Sequence, residues 1–553
     1  MKKFLLILIL LISGSYSIAA TLSYSTYLGG ANTDFCHDIY VNKNGEAFIT
    51  GITYTNDFPT TVGSFDTLHN SVGNNDIFVT QLSVDGSSLN FSTFLGGAFD
   101  DRGYSIAVDT SENVLVTGKT SSPNFPQINA FSNINNGFET AFLTKLSGNG
   151  SILSYSTFVG EGGDRGIALN ITESGNGILT GRTQSLYYPV TVGAYDNSYN
   201  GGTDIIVSKM TTDGALLVFS TYLGGSGWDG SYGNVLNANE DIFLIGETNS
   251  NNYPVQNPYD NSYNGGVDIF VTKISTDGSS LLYSTFLGGA LDDRGYGITL
   301  NSNEDIFLTG ETNSNDFPTQ SAYDSLKDGY DDAFMTKISS DGSSLIYSTY
   351  FGGLYNDAGC GITLYEDNKV VITGNTSSNN FPMQNALFSN FNGNGDFFIT
   401  QFDTSGSNLE FSTFLGGSGN DSQGFQGNPV AFDKCNLYFC GGVASSNFTV
   451  TNEAFDGTFN GIKDAIVVKL QFPNTLISKI SNFEIEVSGS DIVLTWLEKQ
   501  DATLYKIYRS TNLELTNSTQ IGTFTSSGSP PTFIDIGAAQ SAEKYFYFVT
   551  WEN

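Results

Sequence analysis

The sequence predicts an all-β protein: a seven-bladed β-propeller, four antiparallel strands to a blade, followed by a small β-sandwich. Three observations predict it. The motif Ser-Thr-aromatic-apolar-Gly begins at Ser25, Ser92, Ser156, Ser220, Ser284, Ser348 and Ser412, at intervals of 67 and then 64 residues. Each interval holds four strand-like runs and no helical apolar period. The first motif, Leu22 to Leu28, is a fourth strand with no preceding three, and the last copy ends after its third strand, Ala465 to Leu470. Pairing the orphan with the vacancy completes a seventh blade and removes the open edge. An open solenoid would need distinct capping units instead.

The elements follow in chain order. Lys2 and Lys3, the apolar run Phe4 to Ile12 and the small residues Ser15 to Ala20 read as an export signal over residues 1–20, cleaved after Ala19 or Ala20. The apolar run is too short for a membrane span. No cysteine follows it closely, so no lipid anchor is expected. The propeller is assigned to residues 21–472. In one copy, Gly297 to Leu300 is the first strand and Asp305 to Gly310 the second. A long loop leads to the third strand, Asp332 to Ile338, and a turn through Asp341-Gly342 leads to the fourth, Leu345 to Phe351. Asp-Gly between two β-rich runs is a hairpin signal, repeated at Asp85-Gly86, Asp213-Gly214 and Asp277-Gly278.

The repeat carries a family resemblance. Tyr222-Leu223-Gly224-Gly225, Leu308-Thr309-Gly310 and Asp316-Phe317-Pro318 resemble the secreted bacterial and archaeal beta-propeller repeat (SBBP) family over about residues 21 to 472. That resemblance implies the repeat type and an extracellular setting, but no activity. The third copy departs with Gly160-Glu161 for Gly-Gly, and the seventh with Phe448-Thr449 for Phe-Pro.

Residues 474–553 resemble a fibronectin type III domain. Ile492 to Trp496, Tyr505 to Ser510, Phe533 to Ile536 and Tyr545 to Val549 are its strands, with Trp496 the core tryptophan and Tyr545 the corner tyrosine. The expected last strand has no counterpart before Asn553.

Composition bounds the function. The chain has 553 residues, 22 Lys and Arg against 56 Asp and Glu, and a net charge of -34. Such a surface repels phosphate backbones, so nucleic acid is not an expected partner. Four cysteines, Cys36, Cys360, Cys435 and Cys440, permit two disulfides in three pairings. The C-x4-C spacing without a nearby histidine is not a zinc signature.

Propeller geometry sends the fourth-to-first and second-to-third connections to one face. There the second-to-third loops run to roughly twenty residues, far beyond a hairpin turn, so this is the expected working face. Two acidic sets decorate it. An Asp before each first strand (Asp34, Asp101, Asp164, Asp229, Asp293, Asp357 and Asp421) is the candidate ring at the channel mouth, to hold a cation or a basic ligand. The plainer role is a carboxylate capping backbone N–H groups of its own turn. Arg102, Arg165 and Arg294 are placed to neutralise three of the seven.

In the long loops, Asp196, Asn200 and Asp204 recur as Asp260, Asn264 and Asp268, with Asp324, Asp328 and Asp332 similar. Alternating oxygen ligands before Gly resemble the first half of a Ca2+ loop, but the closing Glu is replaced by Val207 and Val271. An Asn-Gly turn with a capping Asp explains the pattern equally. The Phe-Pro pairs Phe58-Pro59, Phe125-Pro126, Phe317-Pro318 and Phe381-Pro382 are expected to bury their rings and anchor the loops.

Two histidines, His37 and His69, and no G-x-S-x-G, H-E-x-x-H or phosphate-loop motif leave nucleophilic, zinc and phosphoryl chemistry without a signature. No acidic pair is seen to break the repeat in one blade only. The leading reading is therefore a secreted, non-enzymatic binding, adhesion or scaffold protein, whose partner is an extracellular glycan or protein. The alternatives are a secreted carbohydrate-active hydrolase or lyase using carboxylates such as Asp100 or Asp101, and a structural envelope component.

Overall fold

The computed structural model describes residues 20–472 apart from 72, 136–137 and 366–367, and beyond these the strands at 484–488, 491–495, 504–510, 519–525, 532–535 and 546–552. The export signal, Trp496 and Tyr545 lie outside the described residues. The chain divides into two units, one of them Ala19–Phe472. Among the described residues no helix is long and apolar enough to cross a membrane.

The propeller has seven four-stranded antiparallel sheets. In blade five the strands are Asp293–Leu300, Ile306–Thr312, Asp332–Ile338 and Leu345–Phe351, so the first strand starts four residues before the sequence reading and includes its Asp. Blade seven is made of Val430–Asp433, Asn436–Val443 and Asp464–Gln471, with Thr21–Leu28 from the chain start as its fourth strand. That closing strand runs from Thr21↔Gln471 to Leu28↔Ala465. The fold is the one the orphan strand predicts.

A second closure was not legible: Cys36, on strand one of blade one, is disulfide-bonded to Cys440, on strand two of blade seven. Cys360 and Cys435 are free.

The long second-to-third loops do not stand off the ring. Each lies along the fourth strand of its own blade. In blade four, Gln256 and Ser284 exchange N–H to carbonyl bonds of 3.0 and 2.8 Å, and Phe286 N–H donates to Asp260 at 3.1 Å. The motif threonine serves the same seam: Thr285 Oγ1 accepts from Asp260 N–H at 2.9 Å and donates to the Asp260 carbonyl at 3.1 Å. Equivalent bonds run from Thr26, Thr93, Thr157, Thr221, Thr349 and Thr413. The motif serine ties strand four to strand three, as Ser284 Oγ to Thr272 Oγ1 at 2.8 Å. The motif aromatic meets the loop aromatic: Phe94 with Phe58, Phe286 with Tyr253, Tyr350 with Phe317 and Phe414 with Phe381, at centroid distances of 6.0–6.3 Å. Phe58, Phe125, Phe317 and Phe381 are each 3% exposed. The repeated motif is thus a device that covers the outer edge of every blade, where an unpaired strand would otherwise invite aggregation.

Among the described residues of the second unit, six strands form two three-stranded sheets. Glu484–Ser488, Asp491–Thr495 and Thr532–Asp535 make one; Thr519–Thr525, Leu504–Ser510 and Phe546–Glu552 make the other.

Candidate functional site: the blade junctions and the channel mouth

The seven candidate ring carboxylates lie inside the blade junctions rather than in the channel. Asp34, Asp101, Asp164, Asp229, Asp293, Asp357 and Asp421 are at most 1% exposed. Each clamps the turn before it. Asp293 Oδ2 accepts Gly289 N–H at 2.6 Å and Ser314 Oγ–H at 2.9 Å, and Thr312 donates to its Oδ1. Gly30, Gly97, Gly225, Gly353 and Gly417 donate in the same way. The arginines expected to neutralise this ring pair elsewhere. Arg102 binds Asp100, Arg165 binds Glu139, and Arg294 binds Asp292, Glu247 and Glu311.

A second carboxylate from the preceding blade faces six of the seven clamps; at Asp164 the position is Thr140. A Cβ on Gly288 would lie 2.9 Å from both Asp268 Oδ1 and Asp293 Oδ2, so only glycine passes between the two acids. The pairs Asp464/Asp34, Asp76/Asp101, Asp204/Asp229 and Asp332/Asp357 flank Gly29, Gly96, Gly224 and Gly352 alike. Burial pushes Asp34, Asp101, Asp268, Asp357 and Asp396 up to about 7, and Asp164, Asp204, Asp293 and Asp464 up to about 6.

The loop acids are brought together as turns. Asn200 N–H donates to Asp204 Oδ2 at 2.7 Å, and Asn200 Nδ2 donates to Asp196 Oδ2 at 2.6 Å. Asn264 makes the same two bonds to Asp268 and Asp260, at 2.7 and 3.1 Å. Asp328 N–H donates to Asp332 Oδ2 at 2.9 Å, while Asp324 caps Leu326 N–H. Among the described residues no group of three His, Cys, Asp or Glu side chains is spaced to hold a metal ion.

The channel itself is lined where the copies differ. The penultimate residue of strand two is Ile52, Lys119, Arg182, Glu247, Glu311, Asn375 or Gly442, depending on the blade. The fourth residue of strand one is His37, Tyr104, Ile167, Tyr232, Tyr296 or Cys360 in blades one to six, and each sits at a β-bulge. A bulge re-aims its side chain. Here it turns Tyr104, Ile167, Tyr232 and Tyr296, from four different blades, into one buried cluster, which requires that they meet at the axis. The stretch from Ser422 to Pro429 crosses to join them: Phe425 stacks on Tyr296 at 4.6 Å, and Asn428 O accepts from Ile39 N–H at 3.3 Å.

This plug divides the channel. Toward the short-turn face lies a cavity of about 450 Å3, with Asp38, Ser105, Asn170, Asn234 and Thr299 in its wall. Asp38 is held by Ser105 Oγ at 2.6 Å and Ile106 N–H at 2.9 Å, and burial pushes it up to about 7. His37 is pushed down to about 4 by burial, and its Nδ1 lies 3.0 Å from the Gly103 carbonyl, so it is neutral and already committed.

Toward the long-loop face the mouth is polar. Arg294 Nε is 2.9 Å from Glu247 Oε2, and its Nη1 is 3.3 Å from Glu311 Oε1. Tyr232 and Tyr296 donate to the same two carboxylates at 2.7 and 2.9 Å. This acidic pair, confined to blades four and five, does break the repeat. Sequence reading missed it because the two glutamates are 64 residues apart and show only when the copies are stacked by strand position. Beside them, Arg182 of blade three stacks on Trp228 at 5.0 Å.

A closed seven-bladed propeller with a diversified channel mouth is the class of protein this geometry defines. The repeat itself matches the family model of the beta-propeller repeat, SBBP, at residues 23–59, 90–126 and 282–318. No curated protein matches the chain. Among solved structures the chain is similar to Kuenenia stuttgartiensis hydrazine synthase (10% identity, TM-score 0.35, covering 68% of this chain and 78% of that one). It is also similar to Sqt1 from Chaetomium thermophilum (10%, TM-score 0.38, 86% and 97%). A third similarity is to Pyrococcus horikoshii acylaminoacyl peptidase (9%, TM-score 0.34, 86% and 59%). The chain thus spans about three fifths of that peptidase, and likeness at this distance brings no activity with it.

Proposed function

We propose that the protein is an exported, non-enzymatic binding protein that meets an extracellular glycan or protein on its long-loop face. The observation that carries this reading is the contrast between positions. Asp, Ser and Gly are repeated where blades lock together, whereas Ile, Lys, Arg, Glu, Asn and Gly alternate at one station of the channel mouth. Where copies of one motif are free to differ while their surroundings are held, the fold is not what selects the residue. The C-terminal unit serves as a spacer or attachment module of fibronectin type III type. Its strands divide first, second and fifth against third, fourth and sixth, the division of such a sandwich. The Cys36–Cys440 disulfide supports an oxidising, extracellular location.

The test is the full chain on glycan and peptide arrays, followed by product analysis on every hit. Binding without turnover is the expected result. A second reading, a carbohydrate-active enzyme, is favoured by the Glu247–Arg294–Glu311 bridge, since two carboxylates on adjacent blades are what glycosidic chemistry needs. Turnover abolished in Glu311→Gln would replace the first reading with the second.

A further inference from the structure

One junction of the seven alters its lock: Asp164 still accepts Glu161 and Gly162 N–H at 3.0 and 2.8 Å, but the partners around it differ. In six blades an Asp opens strand three, but blade two has Thr140 there. Five residues separate the end of strand four from the first-strand Asp in blades one, two, four, five and six, as in Leu287 to Asp293; only four lie between Val159 and Asp164. In six blades an Asp or Asn before the loop aromatic takes an N–H from the neighbouring turn, as Asn252 does from Ser226 at 2.9 Å and Asp316 from Ala290 at 2.9 Å. Blade three has Tyr187 in that place. The serine that donates to the junction Asp in five blades is here Ser185, whose Oγ accepts Tyr187 N–H at 3.1 Å. Three coordinated departures at a single junction are not drift spread over the ring.

At this altered junction lies a cleft of about 490 Å3 between blades two and three on the long-loop face. Phe138 and Tyr187 line it at 70% and 74% exposure. No other blade has an aromatic at the Tyr187 station, while at the Phe138 station blade five also has one, Tyr330, 69% exposed. Glu139, Glu161 and Gln184 supply polar groups between the two rings. Glu139 is fixed by Lys119 and by Arg165, whose Nη2 lies 2.6 Å from Oε2. Exposed aromatic faces cost hydration and are kept where a partner covers them.

Resting on the reading of a binding protein, we propose that this cleft binds a neutral oligosaccharide, N-acetylated sugars included. A sugar ring presents C–H faces to Phe138 and Tyr187 and hydroxyls to the carboxylates and amide between them. Acidic glycans are disfavoured by two glutamates in the wall and a net charge of -34.

The experiment is an array of neutral and acidic glycans probed with the full chain, followed by calorimetric titration of the retained sugar. A neutral oligosaccharide is expected to bind, and Phe138→Ala and Tyr187→Asn each to weaken it about tenfold, the value of one lost aromatic contact. Tyr187→Asn restores the amide found at other junctions, so its melting temperature is expected to match or exceed that of the native chain. Retention of no neutral glycan, or affinity unchanged in both variants, overturns the proposal. A peptide ligand found on a parallel array without any sugar overturns it too, yet leaves the binding-protein reading standing; no ligand of either class sinks both.

Discussion

The threonine of the Ser-Thr-aromatic motif shows how one side chain fixes an element twenty-five residues away. Thr285 Oγ1 accepts from Asp260 N–H and donates to the Asp260 carbonyl, so it supplies both halves of a seam the two backbones cannot complete alone. Replacing Thr285 by Val keeps the shape and β-propensity but strands a partly buried N–H. We expect a loss of about 1–3 kcal/mol in denaturant unfolding. Thr285→Ser, which keeps the hydroxyl, should recover most of it. Equal losses in the two variants would show that the methyl group, not the seam, matters. The motif's recurrence was legible from sequence, but its task was not. Periodicity identifies strand four, whereas the loop partner is an irregular stretch with no pattern of its own, so nothing in the sequence says that the loop lies down on the strand. The ring aspartates had the same difficulty: an Asp beside Gly reads alike whether it faces a channel or caps a turn, and only the position of the neighbouring blade decides.

Closure lives at the scale of elements. Two independent links join blade one to blade seven: the strand Thr21–Leu28, and the Cys36–Cys440 bridge with its sequence separation of 404. The strand was predictable because an orphan and a vacancy at opposite ends of a repeat array must meet if the array is a ring. The bridge was not, since four cysteines leave the pairing open and the spacing gives no clue. Deleting residues 22–28 should lower the melting temperature of the whole ring and leave the outer edge of Asp464–Gln471 unpaired; an unchanged melt would place closure elsewhere. Reduction is milder. With the strand still seated, loss of the bridge should cost about 2–5 kcal/mol, the range for a native disulfide. The double variant Cys36→Ser/Cys440→Ser should unfold at the temperature of the reduced native chain. Because Cys360 and Cys435 are free, a reductant that leaves the double variant's melt unmoved acts on the native protein through this bridge alone.

At the scale of the whole molecule the junction acids work together. Carboxyls from neighbouring blades face one another across glycine turns, buried, and raised by that burial, to about 6 to 7 at Asp34, Asp101, Asp204, Asp268, Asp293, Asp357, Asp396 and Asp464. An Asp in the unfolded chain titrates at about 3.9. Between these values the folded state binds more protons than the unfolded one. The junctions therefore contribute their full stability below about pH 4 and lose it as pH rises through 6 to 7. Hairpin acids such as Asp85, held down at about 2 by the Ser83 and Ser87 hydroxyls, act in the opposite sense, but only below pH 4. The ring should accordingly melt higher at pH 5 than at pH 8. General repulsion from a charge of -34 favours the same trend, and salt separates the two causes. At about 0.5 M NaCl surface repulsion is screened while pairs buried in a junction are not. If the difference between pH 5 and pH 8 vanishes in salt, the junctions are not its source. If it persists and shrinks in Asp268→Asn, which keeps the shape and removes one titrating group from the Asp268/Asp293 pair, then the blades are held together by protons as well as by packing.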